Sequence, residues 1–155
     1  MSIEAILVAT DFSENAQVAF EKAYDLALQL GAKLHVLHVQ DESALRVAIR
    51  EGLLDERQTD EELGKAVEEL TAERFGILLA GIDRSNVAVD ALSRRGDSGK
   101  VIAEYASETG SGIIVMGRRG AGVVNDILKA VVGSVAESVI RRSPCPVLLV
   151  RRDHK

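Results

Sequence analysis

The chain has 155 residues, of which 46% are hydrophobic and 28% charged, and its formal net charge at pH 7 is −5. This length favours one domain spanning residues 1–155, and the composition is that of an ordinary globular protein. The acidic balance disfavours nonspecific binding to nucleic acid, which needs a basic face. One cysteine, Cys145, excludes both an intramolecular disulfide and a thiolate zinc cluster.

The start of the chain does not have the pattern expected of a signal peptide. A strand-like run follows Met1 at once, without the charged segment and long apolar run of a signal peptide. No stretch approaches the ~20 apolar residues of a membrane span. We therefore expect a cytoplasmic protein that does not insert into a membrane.

Short apolar runs alternate with helical periodicity along the whole chain. In chain order the pattern predicts a strand at 3–9, a helix at 13–30, a strand at 32–39, a short helix at 43–54, a helix at 60–80, a strand at 87–92, a helix at 98–108, a strand at 112–117, a helix at 135–142 and a strand at 146–150. Continuous Val/Ile/Leu runs are typical of strands covered on both faces. Strands alternating with helices imply right-handed crossovers, so we predict an α/β fold with a five-stranded parallel sheet and helices on both faces.

Ligands of such open sheets bind beyond the carboxyl ends of the strands, which directs attention to three loops. In the first, ATDFSEN, Asp11 could accept a hydrogen bond from a ribose hydroxyl, an adenine amine or the water of a phosphate-bound metal ion. Asp11 or Ser13 could instead cap the following helix, and both roles are compatible because a carboxylate has two oxygens. In the second, Val39 would offer its backbone groups to an adenine edge.

The third loop is rich in glycine. Gly117 ends the strand GIIVMG, Gly120 follows two residues later, and Gly133 precedes Ser134. Ser134 and Glu137 form an S-x-x-E pattern, which predicts a capping box at the start of the last helix. The backbone N–H groups there and the amides of the glycines favour an anion.

Better-known phosphate loops and catalytic groups do not match. The stretch from Gly96 to Lys100 lacks Walker spacing and predicts a turn with Asp97 or Ser98 near a helix N-cap, and no G-x-G-x-x-G follows the first strand. His35 and His38 lie three apart on one strand, so they face opposite sides and cannot chelate one metal ion. No nucleophile, acid or base stands in a catalytic pattern.

Three segments together resemble the universal stress protein family over nearly the whole chain: ILVATDFSENAQVAFEKAYDLA, LHVLHV, and GIIVMGRRG with GSVAESVIRRSPCPVLLVRR. The resemblance implies a Rossmann-like fold, similar to adenine nucleotide alpha hydrolases, with strand order 3-2-1-4-5. It also implies a homodimer in which residues 146–150 pair with a second copy. Many members bind ATP, with its Mg²⁺, through G-x-x-G, nine residues and G-(S/T).

The resemblance assigns the contacts of such a nucleotide residue by residue. Adenine and ribose would be held by Ala9, Thr10, Asp11 and Val39. Ribose and phosphates would be held by Met116, Gly117, Gly120, Gly133, Ser134 and Val135. Arg118 and Arg119 project from the same loop, where they either reach a γ-phosphate or remain solvated.

This chain departs from the family pattern in the spacer between Gly120 and Gly133, which has twelve residues. Three extra residues are almost one helical turn, and four apolar residues from Val124 to Val131 have helical spacing. We therefore expect an insertion that the site accommodates. The alternative is that the excess moves Gly133 away from Gly120 and opens the cradle.

These observations favour an ATP-binding regulatory protein of the stress response, in which the nucleotide biases a dimer or oligomer and its contacts with a protein partner. Two alternatives remain open: a nucleotide-free dimeric interaction protein of the same fold, and a slow ATPase. An ATP pyrophosphatase is disfavoured, because ATDFSENA lacks the glycines of the phosphate loop that those enzymes carry after the first strand.

Overall fold

The computed structural model describes residues 2–55, 57–118 and 132–152. In chain order its elements are β1 (Ala5–Ala9), α1 (Glu14–Leu30), β2 (Lys33–Gln40), α2 (Glu42–Arg50), α3 (Asp60–Ala80), β3 (Val89–Arg95), α4 (Ser98–Thr109), β4 (Ile113–Gly117), α5 (Ser134–Arg142) and β5 (Val147–Val150). The short helix expected within 121–131 lies outside the described residues.

The strands form one parallel sheet in the order β3-β2-β1-β4-β5. The predicted fold class and strand order are therefore confirmed. Within the described residues, no helix is both long and apolar enough to cross a bilayer.

Side chains of the sheet alternate between two apolar layers, because successive residues of a strand point to opposite faces. Along β1, Ile6 and Val8 pack with α1 and α3, whereas Leu7 and Ala9 pack with α4 and α5. Phe20 of α1 is fully buried in the first layer. The sheet is therefore covered on both faces, which explains why its central strands are continuous apolar runs.

Two predicted boundaries were wrong by more than two residues. The third strand was expected to end at residue 92, where its apolar alternation stops, but its pairing with β2 continues to Arg95 opposite Gln40. The helix expected at 43–54 ends at Arg50, because the chain turns at Gly52 with φ 77°. Both errors arise where hydrogen bonding or backbone conformation overrides the hydrophobic pattern.

The two predicted histidine orientations are confirmed. The ring of His35 lies edge-on to Tyr105 of α4, with centroids 6.0 Å apart. The ring of His38 lies against Phe12 instead, with centroids 4.8 Å apart. The two imidazoles thus belong to opposite layers of the molecule.

Candidate functional site

The candidate site lies where the winding of the sheet reverses. From β1 the chain builds β2 and β3 on one side, and it then crosses to place β4 and β5 on the other side. Val8 of β1 pairs with Val115 of β4, so these two strands end side by side. The crevice beyond their carboxyl ends is where open α/β sheets bind ligands.

The loop after β1 is held by a series of short-range hydrogen bonds. The backbone N–H of Thr10 donates to the Leu37 carbonyl at 2.9 Å, which extends the pairing with β2 by one residue. The Thr10 hydroxyl accepts from the Phe12 N–H at 3.0 Å, and the Asp11 carboxylate accepts from the Ser13 N–H at 3.0 Å. Thr10 is buried, whereas Asp11 is exposed at the crevice.

Ser13, not Asp11, caps the first helix. Its hydroxyl accepts from the Ala16 N–H, at 3.2 Å. Asp11 therefore closes the turn before the helix, and its carboxylate stays at the end of the strand, where the site was predicted. The helix α4 is capped in the same way by Asp97, whose carboxylate accepts from the Lys100 N–H.

Phe12 adopts a left-handed backbone conformation, with φ 62°. An aromatic residue reaches this region at a cost, and such strain tends to collect at functional sites. The surrounding contacts hold it there: its ring packs on His38 and, in a T-shaped contact, on Phe75 at 5.1 Å. The sequence offered no signal for this conformation.

On the other side of the crevice, the two ends of the glycine-rich segment meet. The backbone N–H of Gly133 donates to the Arg118 carbonyl at 2.8 Å, and the Arg118 N–H donates to the Val150 carbonyl at 3.2 Å. Gly117 itself pairs with Val150. The chain thus returns to the end of β4 after its longer spacer. Gly120, Arg119 and the spacer residues 121–131 lie outside the described residues.

The predicted capping box at the start of α5 was wrong. The helix begins at Ser134, so Gly133 occupies the N-cap position, with φ −62° and ψ 155°, and no side chain caps the helix. The box needs Ser134 at the N-cap, one residue outside the helix. Its hydroxyl is therefore misplaced for the bond to Glu137, and the Glu137 N–H donates to the Gly133 carbonyl instead, at 2.9 Å.

Arg118 is partly buried, and its Nε atom is buried without a hydrogen-bond partner among the residues that the structure describes. A fully solvated guanidinium would keep Nε in contact with water, so the burial of this atom disfavours the solvated alternative. A bound anion satisfies a buried N–H that has no acceptor, and the Arg118 backbone adjoins Gly133 at the uncapped start of α5, where the helix dipole also favours an anion.

The remaining predicted residues follow from the strand order. Val39 and Met116 are buried at the ends of β2 and β4, on either side of β1, and Ala9 lies between them. Ser134 and Val135 are exposed in the first turn of α5. The structure thus brings together the predicted residues that it describes along one edge of the sheet and the adjoining helix start.

His38 of β2 lies buried beneath this edge of the sheet and makes a polar contact that was not predicted from the sequence. Its Nδ1 atom lies 3.0 Å from the Thr10 carbonyl. Burial lowers the pKa of His38, and the Thr10 carbonyl, Asp11 and Asp41 offset this in part. Period-two alternation predicted that His35 and His38 face opposite sides of the sheet, but no pattern in the sequence indicated the polar partner of His38.

A second unpredicted link joins β2 to α4 behind the crevice. The Ser98 hydroxyl donates to the Asp41 carboxylate at 3.0 Å, and the Gly96 N–H donates to the Gln40 carbonyl at 3.2 Å.

In the described part of the chain, no group of three His, Cys, Asp or Glu side chains is arranged to hold a metal ion.

Comparison with known proteins identifies a family. The model described as "Universal stress protein family" matches residues 2–151. A universal stress protein of Thermus aquaticus is 32% identical over 149 residues, covering 96% of this chain and 98% of that protein. The universal stress protein YxiE of Bacillus subtilis is 30% identical over 151 residues, covering 94% of this chain and 97% of that protein.

Solved structures agree with the fold. The protein MJ0577 superposes with a TM-score of 0.79 at 27% identity, with both chains covered completely. A universal stress protein in complex with cAMP has a TM-score of 0.59 at 20% identity, covering 99% of this chain and all of that one. A universal stress protein of Archaeoglobus fulgidus in complex with dAMP has the same score and identity, covering 96% and 98%.

Proposed function

This chain belongs to the universal stress protein family, and we propose that within this family of stress-response proteins it binds ATP as a regulatory ligand. The nucleotide would lie in the crevice beyond β1 and β4 and bias a dimer or oligomer toward one conformation. Such a bias requires that ATP bind two conformations with different affinity. A protein partner would then sense the favoured conformation.

The observation that carries this proposal is the hydrogen bond of 2.8 Å between the Gly133 N–H and the Arg118 carbonyl. The alternative of an opened cradle requires the longer spacer to move Gly133 away from the end of β4. Gly133 instead lies against the residue that follows Gly117, which supports an accommodated insertion. Gly120, two residues beyond Arg118, would complete the cradle.

The residues at this corner fit a phosphate group. The first turn of α5 has no side-chain cap, its dipole favours an anion, and the Arg118 Nε lacks an acceptor. Phosphate oxygens are suited to all three features. We propose that Gly117, Gly120, Ser134 and Val135 bind the phosphates, together with Met116 near the ribose. Gly133, whose own N–H is bonded to the Arg118 carbonyl, would line the same site and leave space for the phosphates because it has no side chain.

The other side of the crevice fits the nucleoside. Asp11 offers a carboxylate, and Ala9, Thr10 and Val39 lie beside it at the ends of adjacent strands. The Thr10 N–H is already bonded to the Leu37 carbonyl, so we propose that Thr10 contacts the nucleoside by packing rather than by its N–H. Two proteins of similar fold are described in complex with cAMP and with dAMP, which share an adenine base. Mg²⁺ would accompany the phosphates and keep several of its waters.

The dimer is proposed to form through residues 146–150. β5 is an edge strand of the sheet, and its four apolar side chains are all only partly buried. Ile140 of α5 adds an exposed apolar side chain, 48% accessible. A second copy paired along β5 would cover the strand edge, and edges left open risk aggregation. We place this assembly in the cytoplasm.

The proposal is tested by releasing small molecules from the purified, heat-denatured protein and identifying them by mass spectrometry. We expect ATP to be released. We also expect ATP with Mg²⁺, at a hundred times its dissociation constant, to stabilise the fold by about 2.7 kcal/mol, or roughly 5–10 °C in melting temperature. Sedimentation equilibrium with and without ATP then measures whether the nucleotide shifts the assembly of the 16.7 kDa chain.

A pair of glycine variants separates the site from the fold. Gly133→Val places a side chain in the proposed phosphate space, at a φ of −62° that valine also adopts, and should abolish the ATP-dependent shift. Gly76→Val adds the same side chain to α3 where no other atom lies within 4 Å, and should leave the shift unchanged. An empty wild-type protein with no shift would support the nucleotide-free alternative, and conversion of added ATP to ADP would support the slow ATPase.

A further inference from the structure

His38 lies directly beneath the loop that would hold the nucleoside. It is 9% exposed, and its Nδ1 atom lies 3.0 Å from the carbonyl oxygen of Thr10. A carbonyl oxygen only accepts hydrogen bonds, so Nδ1 must carry the proton and donate it. The backbone of β1 is therefore held at its end by a side chain of β2, one residue before Asp11.

The same imidazole supports the next turn of the chain. The Phe12 ring lies 4.8 Å from it, and Phe75 of α3 closes the group at 6.5 Å from His38. Because Phe12 has φ 62°, the turn depends on these contacts to keep its conformation. His38 thus contacts the residues on both sides of Asp11, by a hydrogen bond to one and by ring packing to the other.

An apolar side chain could fill the space of His38, but it could not replace the donor. The Thr10 carbonyl would then be buried without its partner, or the turn would have to move to reach water. An asparagine side chain carries an amide N–H at about the position of Nδ1, whereas a glutamine side chain carries it one bond further out. Packing and hydrogen bonding can therefore be separated by substitution.

We propose that His38 is a positioning residue of the nucleotide site, which fixes Asp11 for the base or ribose by holding the Thr10 carbonyl and supporting Phe12. This inference rests on the proposed function, because it assumes that a nucleoside occupies the crevice beside Asp11. It assigns no contact between His38 and the ligand. Its effect should therefore fall on the nucleoside part of the ligand and spare the phosphates, which would bind across the crevice at α5.

The test measures the affinity of the full chain for ATP, adenosine and inorganic tripolyphosphate by calorimetry. His38→Leu should weaken the binding of ATP and adenosine roughly ten-fold and leave tripolyphosphate binding unchanged. His38→Asn should bind ATP and adenosine more tightly than His38→Leu does, because it restores the donor although it lacks the ring that packs on Phe12, and it should also leave tripolyphosphate binding unchanged. His38→Gln should resemble His38→Leu, and it replaces that variant if the leucine protein does not fold.

His35→Leu is the matched control. His35 is also a buried histidine of β2, but it faces α4, and its Nδ1, which lies 4.0 Å from the Asp90 carboxylate, has no hydrogen-bond partner in the described part of the chain. The His35→Leu variant should have an altered melting temperature, but its affinities for ATP, adenosine and tripolyphosphate should equal those of the wild type. This separates a local effect on the site from a general loss of stability.

Three results would overturn the inference while leaving the proposed function intact: equal ATP affinity in the wild type and His38→Leu, failure of His38→Asn to restore it, or an equal loss for tripolyphosphate. A wild-type protein that binds neither ATP nor adenosine would overturn both proposals. Selective loss for ATP and adenosine, restored by asparagine, supports the inference.

Discussion

Gly99 shows at the scale of one residue how a missing β-carbon sets the distance between two helices. A β-carbon added there would lie 2.1 Å from the Ser138 hydroxyl oxygen and 2.5 Å from its Cβ. Both distances are far below van der Waals contact, so α4 and α5 would have to separate. Because α5 begins at the proposed phosphate site, the contact also positions that site.

We predict that Gly99→Ala destabilises the protein by about 1–3 kcal/mol in urea unfolding. Alanine is favoured over glycine in a helix by roughly 1 kcal/mol, but here the overlap with Ser138 outweighs that gain. The control is Gly76→Ala in α3, where nothing lies within 4 Å and the same substitution should stabilise. Adding Ser138→Gly to Gly99→Ala removes the overlapping atoms and should recover part of the loss.

A Gly99→Ala protein as stable as the wild type would mean that the two helices move apart at little cost. The tight helix contact would then play no part in positioning α5. Such a result would also remove the physical reason for glycine at this position.

At the scale of the element, helix starts show where the sequence pattern succeeds and where it fails. The sequence offered Asp11 or Ser13 as the cap of α1, and the structure places the cap at Ser13. It offered Asp97 or Ser98 for α4, and the structure places that cap at Asp97. The pattern at Ser134 also predicted a cap, but the prediction was wrong. Gly133 takes the N-cap position instead, with its N–H bonded to the Arg118 carbonyl. That bond joins two residues that are distant in the sequence, so the spacing of residues near Ser134 could not predict it.

This difference gives a paired prediction. Ser13→Ala should cost about 1 kcal/mol in free energy of unfolding, because its hydroxyl accepts from the Ala16 N–H. Ser134→Ala should change the unfolding free energy by less than about 0.5 kcal/mol, because the residue is exposed inside the first turn of the helix. Chemical denaturation of both variants measures the contrast.

The same pair bears on the site. If the Ser134 hydroxyl binds a phosphate, Ser134→Ala should weaken ATP binding although it leaves stability unchanged. Equal losses of stability in Ser13→Ala and Ser134→Ala would instead indicate that Ser134 caps α5, which contradicts the structure.

At the scale of the whole molecule, the sequence predicted the fold more fully than the site. Alternating apolar runs are sufficient for strands and helices, and the family resemblance supplied the strand order. The contacts that organise the site are hydrogen bonds between elements, which periodic patterns do not predict. The bonds from His38 to Thr10 and from Gly133 to Arg118 each cross between elements, and neither depends on a periodic pattern.

The buried histidines make a prediction about the stability of the entire molecule against acid. Burial lowers the pKa of both His35 and His38 below the ordinary value of 6.5. Below pH 6.5 the unfolded chain therefore binds more protons than the folded chain, and folding loses stability. We expect the free energy of unfolding to fall as the pH drops from 6.5, by at most about 1.4 kcal/mol per pH unit for each histidine.

The carboxylates act in a lower window, so the two causes can be separated. Lys33 lowers the pKa of Asp90 from 3.8, and Arg94 lowers that of Glu108 from 4.5, so their contribution is present above these values and is lost only below them. Between pH 6.5 and about 5 the slope should thus come from histidine. A protein carrying His35→Leu and His38→Asn should show a flatter profile there, measured by urea unfolding at each pH, while keeping the loss below pH 4.5. His154 is common to both proteins and cancels in the comparison. An unchanged slope in the double variant would mean that neither buried imidazole resists protonation.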